Sequence, residues 1–157
     1  MNKDYFKRIT AQRLHFPTDL KFIASDNGLL ECNGKLVQIV ASEPVLPKDY
    51  PPVDFDIYGI GKYKFILSEA DILVFSFINS QTPKTHKTDC AVIPKDELLA
   101  RLRDYHFDGD QLNLKLILTD KGLHECYGAG TEAFFMGLWV DDKREFSNFL
   151  CNWNIFN

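Results

Sequence analysis

At 157 residues, 45% of them hydrophobic, the chain can bury a substantial core and is expected to form one domain spanning residues 1–157. A formal net charge of −4 excludes passive coating of nucleic acid or of an anionic membrane, while leaving room for a local basic groove. The N-terminal MNKDYFKRIT lacks the apolar core of a secretory signal, and no apolar run approaches the ~18 residues of a spanning helix, so a cytoplasmic protein without membrane contact is expected.

Asp4–Leu14 reads as a short amphipathic helix with Tyr5, Phe6, Ile9 and Leu14 on its apolar stripe, and Pro17 ends helical propensity at Phe16. A strand follows from Leu20. Asn-Gly then occurs twice, at Asn27-Gly28 and Asn33-Gly34, each between strand-like runs. This is the signature of two-residue type I′ hairpins, and it predicts a meander of Leu20–Asp26, Leu29–Cys32 and Lys35–Ser42. Such turns set the register: Asp26 opposite Leu29, Ala24 opposite Glu31, Glu31 opposite Leu36, and Cys32 opposite Lys35. Asp26, Glu31 and Gln38 then share one face, and Leu30, Val37, Ile39 and Ala41 form the core face.

Glu43–Pro52, with four prolines, reads as a loop. Val53–Tyr58 alternates as a half-buried strand that Gly59 and Gly61 are expected to break, with Tyr63–Leu67 a further strand or a bridge into the central one. Asp71–Leu102 carries the clearest architecture. Ile72–Ile78 is an unbroken apolar run, Cys90–Ile93 a shorter one, and Pro94, Asp96 and Glu97 suit the first turn of a helix whose apolar face is Leu98, Leu99 and Leu102. His106–Gln111 is a polar break. Leu112–Thr119 and Gly122–Tyr127 read as neighbouring strands across Asp120-Lys121, and Ala133–Val140 as another. Asp141–Phe156 reads as a closing helix, with Phe146, Phe149, Leu150 and Trp153 on one side. The expected fold is α/β (α+β): a mixed central sheet with N-terminal, middle and C-terminal helices.

Four cysteines, Cys32, Cys90, Cys126 and Cys151, lie within or beside apolar runs with no C-x-x-C, and read as buried free thiols. His124-Glu125-Cys126 offers metal ligands without a second pair to complete a zinc site. Asp19, Asp26 and Glu31, with Gln38, are the candidate catalytic set, because paired carboxylates from adjacent strands are what a hard cation such as Mg²⁺ requires. The competing reading is that they are turn and solvent-face residues. Lys84, His86 and Lys87 in QTPKTHKT, together with Lys62 and Lys64 around Tyr63, are candidate nucleic-acid contacts. The competing reading for these is a solvated hairpin tip and strand face.

The order of these elements resembles the PD-(D/E)XK restriction-endonuclease-like superfamily. Pro17-Thr18-Asp19 is similar to its first half-motif, and Val37-Gln38-Ile39-Val40-Ala41-Ser42 to the Gln-Val-Lys form of its second. ADILVFSFIN, CAVIPKDELLARL and FSNFLCNWNIF resemble its later strands and helices. The resemblance implies a nuclease-like, Mg²⁺-dependent domain acting on or binding nucleic acid, with Asp19, Asp26 or Glu31 on the metal and Gln38 in the second-motif slot. Val40 stands where the family places its catalytic lysine. That leaves Lys35, Lys62 or Lys64 as a relocated lysine, or a degenerate site. An acidic chain without that lysine also fits a different class, a non-catalytic immunity or inhibitor protein steered by charge onto a basic protein partner.

Overall fold

The computed structural model describes residues 16–49, 57–78, 90–125 and 142–157. The expected N-terminal helix, the Ala133–Val140 strand, Cys126, and the loop residues Lys84, His86 and Lys87 lie outside the described residues.

Two sheets form the fold. The first is built from β1 (Ile23–Ala24), β2 (Leu30–Cys32), β3 (Lys35–Val40), β5 (Ile72–Ser76) and β6 (Cys90–Pro94), in that spatial order. It is mixed: β3 and β5 run parallel and the other pairs are antiparallel. The second sheet centres on β8 (Gln111–Thr119), which pairs β4 (Ile57–Ile66) on one side and β7 (Phe107–Asp108) and β9 (Gly122–Glu125) on the other. Among the described residues the expectation of a single central sheet is therefore corrected to two, because β4 pairs along its length with β8 and meets the first sheet's chain only past the end of β5, at the Ile60–Ile78 bridge.

The unbroken apolar run of β5 has its explanation here. Val40, Leu73, Phe75, Ala91 and Ile93 pack against Tyr63, Phe65, Leu112, Leu114, Leu116, Leu118 and Leu123 of the second sheet. Leu30, Val37, Ile39, Ile72, Val74 and Val92, on the opposite face, are covered by Phe156 and by half-buried Phe16, Phe22 and Trp153. A strand buried on both faces shows no alternation. Strand β8 has a covered and an open face along its first half, and there Leu112 and Leu114 alternate with half-exposed Gln111, Asn113 and Lys115.

The second Asn-Gly behaves as expected. Asn33 and Gly34 both have positive φ (51° and 78°), and the ladder pairs Cys32 with Lys35, Glu31 with Leu36, and Leu30 with Val37. Leu30, Val37, Ile39 and Ala41 are buried as expected. The first Asn-Gly differs. Asp26–Gly28 forms a three-residue loop closed by the Ser25 N–H donating to the Leu29 carbonyl (2.8 Å). One extra loop residue slips the register by one, so Ile23, not Ala24, lies opposite Glu31, and Ala24 meets Leu30.

Three further corrections concern local structure. Gly59 and Gly61 do not break β4. The ladder with β8 absorbs a bulge between Ile57 and Gly59, and the Tyr63 ring lies over Gly61, where a Cβ would sit 1.9 Å from the phenolic oxygen. Phe107–Asp108 is not a loop but a strand folded onto Leu112 and Gln111 through Gly109-Asp110, with Gly109 at φ 64°. The closing helix is absent from residues 142–157, which form 3-10 turns at Asp142–Arg144, Ser147–Phe149 and Trp153–Phe156. Their backbone bonds go to the sheets. Ala91 and Leu150 form a bridge, the Cys151 N–H donates to the Cys90 carbonyl (3.0 Å), and the Phe146 N–H donates to the Leu123 carbonyl (2.8 Å). The i, i+3 spacing of Phe146 and Phe149 suits a three-residue turn as well as a helix. Among the described residues the only α-helix is α1 (Lys95–Leu99), shorter than the middle helix expected to reach Leu102. No helix among them is long and apolar enough to cross a membrane.

Candidate functional site

The acidic set expected to hold a cation is spread over solvent-facing positions of the first sheet and its turns. Asp19 is exposed in a turn, Asp26 in the three-residue loop, and Glu31 on β2 between Ile23 and Leu36. Gln38 is engaged in the structure itself. Its amide donates to the Ile66 carbonyl (2.9 Å), and its carbonyl oxygen accepts the Ser68 hydroxyl (2.8 Å), which pins the connection from β4 to β5. Among the described residues no group of three or more His, Cys, Asp or Glu is gathered as a cation would require. The donor set therefore does not fit Mg²⁺. Val40 pairs with Phe75 inside the core between the sheets, so a lysine at this position would bury its charge. Of the lysines named as replacements, Lys35 donates to the Ile155 carbonyl (2.8 Å), and Lys62 and Lys64 belong to the other sheet.

Those two lysines mark the site the structure does assemble. Strand alternation puts Lys62 and Lys64 on the open face of β4 and Asn113 and Lys115 on that of β8, and the ladder sets Lys62 opposite Lys115 and Lys64 opposite Asn113. Like charges directly opposite repel. Asp49, in the Pro47–Asp49 turn of the proline-rich loop, compensates: its carboxylate is 3.3 Å from the Lys62 Nζ and 3.9 Å from the Lys115 Nζ. The Leu46 N–H donates to the same carboxylate (2.8 Å). This bond, outweighing the effect of burial and reinforced by Lys62 and Lys115, holds the Asp49 carboxyl below its usual range. A cavity of about 280 Å³ opens here, lined by Asp49, Lys62, Lys64, Tyr105, Asn113, Lys115 and Glu125, with Tyr63 and Leu114 beneath. Three lysines against Asp49 leave two positive charges, since Glu125 has its own counterion.

That counterion is part of a buried network. The Arg144 guanidinium, wholly buried, donates to the Glu125 Oε2 (2.6 Å). His106, also buried, accepts the Arg103 N–H at Nδ1 (2.8 Å) and so carries its proton on Nε2, 2.5 Å from the Glu125 Oε1. The Tyr105 hydroxyl donates to the same oxygen (3.3 Å), and the Arg144 guanidinium lies 5.1 Å from the centre of the Tyr105 ring. The strands position these groups. The ladders of β8 with β7 and with β9 leave Asn113–Lys115 between them, and Tyr105, just before β7, and Glu125, ending β9, converge on that interval. Neighbouring His124 faces the other way, with its Nδ1 3.0 Å from the Glu145 carboxylate, so the His124-Glu125 pair does not act as a joint ligand set.

Sequence reasoning identified Lys62 and Lys64 but missed Asp49, Tyr105, Asn113 and Lys115. The alternation L-N-L-K-L signals that Asn113 and Lys115 face outward; which strand stands beside them is a tertiary fact. The buried Arg144 carries no signal, because it sits in the charged run DDKRE, and Glu125 stands out only as a candidate metal ligand beside His124 and Cys126. Compared with known proteins, the chain matches no family model, no curated protein and no solved structure.

Proposed function

We propose that this chain binds nucleic acid through the lysine face of its second sheet, as a nuclease-like domain whose metal site is degenerate. The observation that carries the reading is the convergence of Lys62, Lys64 and Lys115 on one cavity in a chain of net negative charge. A cationic focus on an acidic protein attracts phosphate locally without general stickiness. Lys64 is exposed and, opposite Asn113, is placed to meet a phosphate first. The succession β5, β6, α1 is in keeping with the resemblance to the PD-(D/E)XK superfamily, and the buried Val40 is in keeping with binding in place of hydrolysis.

The test is fluorescence anisotropy of labelled DNA and RNA over a salt series. Binding should weaken as salt rises, with a slope of log affinity on log salt that falls by about one for each lysine removed in Lys64→Ala and Lys115→Ala. Absence of binding at low salt, or binding indifferent to both substitutions, would overturn the reading. A second reading, an inhibitor of a basic protein partner, is favoured by a separate observation. Exposed Ile23 (54% of its surface) lies opposite exposed Glu31 on the edge of the first sheet, an apolar spot beside a carboxylate. For that reading Glu31→Lys should abolish partner capture and leave nucleic-acid binding intact.

A further inference from the structure

Tyr105 is the side chain at the site that phosphate binding does not explain. Nearly half of it is exposed (48%), yet it is held in place from behind. Its hydroxyl donates to Glu125, Glu125 is fixed by the buried Arg144 and His106, and the Arg144 guanidinium (5.1 Å from the ring centre) and the His106 ring (4.1 Å between centres) touch the phenol ring. An exposed aromatic anchored by a buried ionic network loses little conformational freedom when something packs on it. Asn113, lining the same cavity, carries an amide with both donor and acceptor groups, which is the complement of a base edge. Lys62, Lys64 and Lys115 stand around it for the flanking phosphates.

We infer that the Tyr105–Asn113 cavity receives one unpaired nucleobase, so that the lysine face selects single-stranded nucleic acid over duplex. The inference rests on the nucleic-acid reading above and names its substrate class. Size supports it: about 280 Å³ is close to the lower end of small-ligand cavities, the scale of one planar base. Charge supports it too, since a cationic groove with an aromatic platform is the arrangement that holds single strands, whereas a duplex keeps its bases stacked and out of reach unless one is flipped.

The experiment compares three fluorescein-labelled probes by anisotropy, each over the same salt series: oligodeoxythymidylate, the same strand in duplex with oligodeoxyadenylate, and an abasic strand of equal length. The full chain should bind the single strand tenfold or more tightly than either of the others. Tyr105→Ala should bring the single strand down to the affinity of the abasic strand while leaving the salt slope unchanged. Tyr105→Phe, which keeps the ring and loses only the hydroxyl, should retain most of the preference. Asn113→Ala should reduce it without touching the Tyr105 anchor. Equal binding of single strand and duplex by the wild type overturns the inference alone, as does a preference that survives both Tyr105→Ala and Asn113→Ala. Failure of every probe to bind at low salt overturns the nucleic-acid reading and the inference with it.

Discussion

Replacing Glu125 with alanine tests the buried network directly. The carboxylate accepts from Arg144, His106 and Tyr105 and is almost wholly buried (5% exposed). Removing one partner of a buried ion pair costs about 3–5 kcal/mol, because the remaining charge stays in a medium that solvates it poorly. Arg144 keeps its position against the Tyr105 ring, which places the expected cost toward the lower end, about 3 kcal/mol. For a chain of this length each kcal/mol moves the melting temperature by about 2–4 °C, so a fall of about 6–12 °C is expected. Urea unfolding of Glu125→Ala, Arg144→Met and the double variant completes a cycle. Arg144→Met alone should also destabilise, and the double variant should be less damaged than the sum of the singles by more than about 1 kcal/mol. A loss below about 1 kcal/mol in Glu125→Ala, or additivity within about 0.5 kcal/mol, would refute the claim that these groups form one coupled unit.

Gly61→Ala should destabilise by at least about 2 kcal/mol, because the new methyl displaces the buried Tyr63 ring and breaks its hydrogen bond to the Ser76 carbonyl (2.8 Å). Thermal melts check it, and the same substitution should cost much less in a Tyr63→Leu background. Asp49→Asn removes the charge between Lys62 and Lys115; the protein should melt earlier and bind single-stranded DNA more tightly at low salt, with the gain vanishing at high salt. Burial by itself would raise the Glu145 carboxyl, but hydrogen bonds from His124 and Ser147 outweigh it and hold the group below its usual range. The unfolded chain therefore binds that proton more readily. Stability from Glu145 is present above the unfolded value, about pH 4, and is lost as pH falls through the lower folded value. Acid unfolding of Glu145→Gln should show a shallower loss below about pH 4, and an unchanged acid limb would count against the His124–Glu145 contact.

Much of the strand content is readable from residue patterns because its causes are local. Asn33-Gly34 specifies a two-residue turn, since both positions need positive φ, and that turn sets the register from Cys32–Lys35 outward. The Ile72–Ser76 and Cys90–Pro94 runs announce buried strands by their lack of alternation, and Thr119 meets Gly122 across Asp120-Lys121 as the break there implies. The burial of the cysteines is legible in part, with Cys32 and Cys90 buried and Cys151 half-buried. Where two local solutions were close in energy, tertiary contacts chose between them. Asp26-Asn27-Gly28 closes as a three-residue loop, and the aromatic spacing from Phe146 to Phe156 serves successive 3-10 turns because the edges of β6 and β9 accept their backbone bonds.

The site lies almost wholly on the tertiary side. Residue pattern alone determines that Lys62, Lys64, Asn113 and Lys115 point away from the core, because alternation is a property of one strand. Only the folded chain decides that β4 stands beside β8, bringing those side chains together, and that Asp49 from a distant loop holds two of the lysines. The same is true of Arg144, which occurs in a run of charges that reads as surface and is instead buried against Glu125, some twenty residues earlier and on another element. Pairing between non-adjacent strands and compensation of a buried charge depend on which segments meet in space, and a pattern of neighbours along the chain carries no record of that.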